Sequence, residues 1–209
     1  MIEPNDFAAL GRAALGNKLG LRSPHGLKQA YVQYTGQRLQ ELRTAPIPGG
    51  FDCVHLLRIH HHLHQDLSGW AGRFRTTDSV HIPASQVEPN VNRLLDRLTR
   101  QNHLKGYSPE KWSTAAGGYV RELATIQPFD FGNGITIREF ADELARKNAL
   151  ALQWDSKADE ILDGAIAVKL QEQESSALRR VVMLAMDTYL PPQNGHVPIT
   201  QREIDRDFS

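Results

Sequence analysis

In one segment after another, apolar residues return every three or four positions, and runs that alternate in twos are nearly absent. A chain patterned in this way is expected to be an all-α bundle. Ser23-Pro24 supplies an N-cap and a first-turn proline for a helix to about Arg43, with Leu27, Tyr31, Tyr34 and Leu42 on or near one face. The stretch from Ala45 to Gly50 breaks it. Asp52 caps a second helix with the stripe Leu56, Ile59, Leu63 and Leu67, expected to end near Ser68-Gly69. Pro89 suits the first turn of a third, followed by Val91, Leu94, Leu95 and Leu98. Ser108-Pro109 opens a fourth, striped by Trp112, Ala116, Tyr119, Leu123 and Ile126 and stopped by Pro128. A fifth begins after Gly132-Asn133-Gly134, and two more are predicted near Ser156 to Leu170 and Ser175 to Met186. Between Trp70 and Ser85, Val80-His81-Ile82 marks the one credible short β-hairpin. Past Leu190-Pro191-Pro192 the chain turns polar, so a single domain over 1–190 with a loosely held tail over 191–209 is expected.

The 24 Lys and Arg balance the 24 Asp and Glu among 209 residues, which argues against a dedicated binder of nucleic acid or of an acidic membrane. The lone Cys53 excludes an internal disulfide framework and a cysteine-rich zinc site. Folding in a reducing cytoplasm fits best. The first twenty residues lack the pattern of a cleaved signal, and no stretch reaches membrane-spanning length. Export by a route without a cleaved signal stays open.

Chemistry concentrates in the motif from Thr125 to Arg138, Thr-Ile-Gln-Pro-Phe-Asp-Phe-Gly-Asn-Gly-Ile-Thr-Ile-Arg. A helix stopped by proline gives way to a glycine loop and a new helix, whose first turn has backbone N–H groups without intrahelical partners. Such an N-terminus attracts phosphate, and glycine lets the backbone approach it. Without its surroundings the loop reads more readily as an ordinary turn.

Those surroundings are Asn17-Lys18-Leu19-Gly20-Leu21-Arg22, then Phe51-Asp52 with His55, Leu56, Ile59, His60, Leu63, Gln65 and Asp66, then Trp70-Ala71-Gly72-Arg73-Phe74-Arg75. With the loop, and in this order, they resemble the Fic family from about residue 11 to about residue 186. The resemblance implies a helical bundle with a small β-hairpin flap, and transfer of AMP from ATP, with magnesium, to a hydroxyl of a target protein. Some relatives transfer other phosphate-containing groups.

The family motif reads His-Pro-Phe-x-Asp/Glu-Gly-Asn-Gly-Arg-x-x-Arg, and three of its positions differ here. Gln127 stands where the family has its general base, and a carboxamide cannot take the proton of an attacking hydroxyl near neutral pH. Phe131 stands where the acidic residue holds magnesium, and Ile135 where the first arginine clamps phosphate. The resemblance leaves Gly132, Asn133, Gly134 and Arg138 as phosphate-binding residues, with Arg138 the one surviving reactive-site cation and no residue assigned to metal. ATP or another nucleotide, held without the usual magnesium site, is the ligand this remnant would take. The segment from Thr76 to Gln86 is shorter than the family's flap and lacks its lysine-glycine pair. No Glu is followed by Gly or Asn, so the inhibitory Ser/Thr-x-x-x-Glu-Gly/Asn helix is missing from this chain.

Two main readings stand side by side. One is a pseudoenzyme, a binding or regulatory protein whose AMP transfer is abolished or strongly weakened. The other is an active, non-standard nucleotidyl or phosphate-group transferase of toxin or effector type, using Gly132-Asn133-Gly134 and Arg138. The implied partners are a protein target or a separate small inhibitor chain, and a third reading has the flap side bind another macromolecule. Rival constellations have plainer explanations. His60 and His64 share metal-ligand spacing, yet packing accounts for them better. Cys53 and His55 point to different faces of a helix. Arg73 and Arg75 beside Trp70 could stack on a nucleotide, although a structural role fits Trp70 better.

Overall fold

The computed structural model describes residues 17–79 and 82–152. Five α-helices run through them: α1 (Pro24–Thr44), α2 (Cys53–His64), α3 (Ala84–Arg100), α4 (Pro109–Ile126) and α5 (Asn133–Lys147). α1 packs on α2, α2 on α5, and α5 on α4, which also packs on α3. The expected helices near 156–170 and 175–186 and the tail over 191–209 lie outside the described residues.

Local signals set most helix starts. The Ser23 hydroxyl accepts from Gly26 N at 3.0 Å, the Asp52 carboxylate from His55 N at 2.8 Å, and the Ser108 hydroxyl from Lys111 N at 3.4 Å. α2 ends at His64, before the expected Ser68-Gly69. The reason is tertiary: Leu67 N and Ser68 N both bond His64 O, and Ser68 leaves the helix to form an antiparallel bridge with Asn17. α3 starts at Ala84, which puts Pro89 inside the helix and not in its first turn. Asp78 reaches over to accept from Ala84 N at 2.8 Å, and Val87 joins the buried stripe of Val91, Leu94, Leu95 and Leu98. The bond that Pro89 forfeits is tolerable because Pro89 lies on the exposed face, where water can satisfy a carbonyl.

The stripes of α2, α3, α4 and α5 close one large core around Leu56, Ile59, Leu98, Trp112, Leu123 and Ile137. A smaller apolar cluster, Leu27, Ala30, Tyr31 and Leu67, lies apart from it with Phe131 packed alongside. Two of the three residues that marked the expected hairpin, Val80 and His81, lie outside the described residues. Among the described residues the segment after Arg75 contains no strand. Ser79 N bonds Ile82 O at 3.2 Å, and Ile82 N bonds the Ser79 hydroxyl at 3.1 Å. None of the helices among the described residues is long and apolar enough to cross a membrane.

Candidate functional site

Pro128 forces the chain out of the α4 helix, and Gln127 takes the left-handed conformation at φ 48°. Its N–H still bonds Leu123 O, so Gln127 caps α4. The last carbonyls of the helix go to Arg75. Its Nε donates to Gln127 O at 2.7 Å and its Nη2 to Ile126 O at 3.2 Å. The same guanidinium donates to Thr77 O and to Ile82 O, tying the flap segment to the end of α4. Arg75 is only 5 % exposed, and its burial draws its pKa below the ordinary arginine value, against the nearby Asp130 and Asp78. Its acceptors are the carbonyls of Gln127, Ile126, Thr77 and Ile82 and the Ser79 hydroxyl, so Arg75 acts as a brace between the flap segment and the end of α4.

Beyond Pro128 the loop is clasped from both sides. The Asn133 carboxamide accepts from Phe129 N at 2.9 Å and donates to Phe129 O at 2.8 Å. Phe129 is buried and stacks on His60, with centroids 3.7 Å apart and planes 6° from parallel. His60 is a neutral pillar beneath the loop. Its Nδ1 accepts from Gly72 N at 2.8 Å, and its Nε2 then carries the proton donated to Phe131 O at 3.0 Å. Burial lowers its pKa to about 3, even though the Phe131 carbonyl favours the proton. With both nitrogens engaged, His60 offers no metal a lone pair. His64, also buried, stacks on Tyr31 with planes 16° apart, and burial pushes it well below the usual imidazole value.

Gly132 caps α5 at φ 76°, and a Cβ built there would collide with the His64 ring. Only glycine fits both demands. The Gly132 carbonyl accepts from the Thr136 hydroxyl at 2.7 Å and from Thr136 N at 3.3 Å. No side chain caps the α5 N-terminus, and its first turn has no acidic residue. The helix end formed by Gly132, Asn133 and Gly134 therefore keeps its positive pole uncompensated by a carboxylate of its own first turn. Arg138 lies one turn along from Gly134 and is 3 % exposed.

The three differing positions have been absorbed by the fold. Gln127 serves as a helix cap. Phe131 is half-buried among Tyr31, His64 and Trp70, at ring-centroid distances of 4.8, 5.8 and 6.2 Å. Ile135 is 2 % exposed within the large core. Asp130, the nearest carboxylate in sequence, turns to the flap and accepts from the Thr77 hydroxyl at 2.6 Å. Among the described residues no group of three or more His, Cys, Asp or Glu is arranged to hold a metal ion. These residues do not fit a magnesium ion held by protein side chains at position 131. Cys53 is half-buried, and burial raises its thiol to about 11, while His55 turns to Glu143.

Sequence reasoning missed the Arg75 brace, the Thr77–Asp130 link and the His64 ring under Gly132. Nothing local distinguishes Arg75 from Arg73, which flank Phe74 symmetrically. The Gly132 requirement was legible as a glycine in a loop, but the ring that enforces it comes from another helix.

A proline-stopped helix handing over to a glycine-started one, braced by a buried histidine helix, defines the class of protein. Its sequence between residues 50 and 145 matches the Fic/DOC family. It is 34 % identical over 144 residues to the protein adenylyltransferase VbhT of Bartonella schoenbuchensis, a match covering 66 % of this chain but 30 % of that protein. It is 30 % identical over 155 residues to a probable protein adenylyltransferase Fic of Salmonella typhimurium, covering 72 % of this chain and 76 % of the relative. The crystal structure of the VirB-translocated effector BepC of Bartonella tribocorum, with bound AMPPNP, superposes with a TM-score of 0.71 at 21 % identity, covering 81 % of this chain and 90 % of that one. At that identity the likeness speaks for the fold. This chain belongs to the Fic/DOC family.

Proposed function

We propose that this protein is a Fic-fold binding or regulatory protein that has kept an anion cup and given up ordinary AMP transfer. Gly132, Asn133 and Gly134 receive the phosphate groups of ATP or another nucleotide on the α5 N-terminus, and Arg138 adds positive charge from one turn below. The observation that carries the reading is the reuse of all three differing positions by the fold itself: Gln127 as helix cap, Phe131 in an aromatic cluster, Ile135 in the core.

Magnitudes support a strong loss of ordinary AMP transfer. A missing general base costs roughly 10²- to 10⁴-fold in rate, and a missing charge-stabilising group roughly 10²- to 10³-fold. The two do not simply multiply, yet either alone makes transfer slow. Neither His60 nor His64 replaces the base, because both are buried beneath the loop, burial makes each a poor proton acceptor, and both ring nitrogens of His60 are already engaged. The Asn133 carboxamide is committed to Phe129, so its part in the cup is through its backbone.

The test incubates the protein with labelled ATP, magnesium and a cell lysate. The expected result is no labelled protein above the level given by Arg138→Ala. Magnesium-dependent labelling that Arg138→Ala abolishes would overturn the proposal in favour of an active, non-standard transferase.

A further inference from the structure

α2 has a second face, turned away from the core. Its inward stripe, with Leu56, Ile59, His60 and Leu63, is buried. On the outside, Leu57, Arg58 and His61 follow Val54 at three, four and seven residues and form one continuous strip. Val54 is 52 % exposed, and among the described residues only Leu19 is another large apolar side chain so open to solvent. The strip lines a groove of about 360 Å³. Ile47, from the stretch before α2, and Gly72, from the start of the flap segment, complete the apolar lining. Gly72 lies at φ 78°, and a Cβ there would meet His61 Cβ at 2.7 Å and Leu57 O at 3.1 Å. Its backbone therefore sits flush on α2 and adds no side chain to the groove.

The charges along the groove are one-sided. No Asp or Glu lines it. Arg58 is exposed, and its one hydrogen bond, to Pro48 O, is as long as 3.5 Å, which leaves most of its donors to solvent. His61 is exposed as well, and His62 pairs with Glu41, a carboxylate that Arg38 also holds. The Asp52 carboxylate at the head of α2 is committed to His55 N. An apolar floor beside a cation, with no competing carboxylate in the lining, complements an acidic segment that carries an aliphatic residue.

We propose that this outer groove of α2 is a docking site for a partner protein that inserts a short acidic segment. An aliphatic side chain of the segment covers Val54 and Leu57, and a neighbouring carboxylate takes paired hydrogen bonds from the Arg58 guanidinium. The groove does not depend on the anion cup. α2 turns His60 and His64 toward the loop and Val54, Arg58 and His61 away from it, so the partner and a phosphate ligand have separate faces of one helix.

The test titrates the full chain into a fluorescein-labelled Asp-Leu-Glu-Asp-Leu-Glu peptide, read by anisotropy, beside Lys-Leu-Lys-Lys-Leu-Lys and Asp-Ser-Glu-Asp-Ser-Glu peptides. Amide NMR shifts of the ¹⁵N-labelled protein locate the contact. The acidic leucine peptide is expected to bind several-fold more tightly than the other two and to shift Val54, Leu57, Arg58, His61 and Gly72. Arg58→Glu weakens it roughly tenfold and turns the preference toward the basic peptide. Val54→Ser weakens it several-fold, and Arg22→Glu, at an exposed arginine outside the groove, leaves it unchanged. All three substituted side chains are exposed, so the variants keep the fold, which their melting temperatures verify. Equal losses in Arg58→Glu and Arg22→Glu would reduce the binding to general charge attraction and overturn the proposal. Failure of the acidic leucine peptide to bind at millimolar concentration, or equal binding of the basic one, would overturn it as well. So would a dimer in sedimentation that Val54→Ser dissociates, because a second copy would then fill the groove.

Discussion

The two regions that meet along α5 solve the problem of burying polar groups in opposite ways. Beneath the cup, His60 is held as one neutral tautomer by Gly72 N and Phe131 O, and Asn133 spends its carboxamide on Phe129. Around Glu139 and Glu143 the groups are ionisable, close-set and incompletely bonded. The first arrangement fixes geometry regardless of pH. The second makes stability depend on it.

The comparison is broken most forcefully at Arg75. Replacing it with Met removes a buried cation and the side-chain donor to the carbonyls of Gln127, Ile126 and Thr77, while Ile82 O keeps Ser79. Each of these buried carbonyls left unsatisfied costs about 1–3 kcal/mol, so their sum is readable as a large shift of the urea midpoint. Gly132→Ala comes next. A strained left-handed alanine and a collision with the His64 ring together cost about 2–4 kcal/mol. Because His60 and His64 stay neutral, that loss is expected to be equal at pH 5.5 and pH 8.5. Asn133→Ala unpairs the backbone of Phe129 on both sides and costs about 1–3 kcal/mol, again without pH dependence in chemical unfolding. A loss at any of these sites that varies steeply over that range would erase the distinction between the two regions.

The flank sharpens the comparison through pH alone. With the folded carboxyl of Glu139 raised to about 8, the unfolded chain ionises first, so the folded state binds more protons in between. Its contribution to stability is complete below the ordinary carboxyl value and is lost as the pH rises through about 8. Thermal melts at constant ionic strength read this as a falling midpoint. The smallest effect is expected at Val54, 52 % exposed on the outer face of α2. Val54→Ser should change stability by less than about 0.5 kcal/mol, and a larger loss would mean that this face is covered.

Where a feature is local, the chain states it openly. Ser23-Pro24, Asp52 and Ser108-Pro109 mark helix starts because a cap is a contact between residues three apart. The loop from Gln127 to Gly134 and its three differing positions could be read directly, along with the family they resemble. Features made across the fold stayed hidden. The early start of α3 depends on Asp78, six residues ahead of the N–H it caps, and the early end of α2 on a bridge to Asn17. Glu139 and Glu143 look in sequence like charges on a solvated helix face, and only the packing of α1 and α2 against α5 buries them. Arg75 and the ring of His64 are of the same kind: their partners lie dozens of residues away.

At the loop, the position of the family base caps α4 through its backbone, and the other two differing positions carry apolar side chains packed against the fold. Calorimetric titration of ATP into the protein, run with magnesium and again with EDTA, tests that most directly. The account predicts weak binding of similar affinity in both, reduced by Arg138→Ala. Binding that appears only with magnesium, and is indifferent to Arg138, would contradict it.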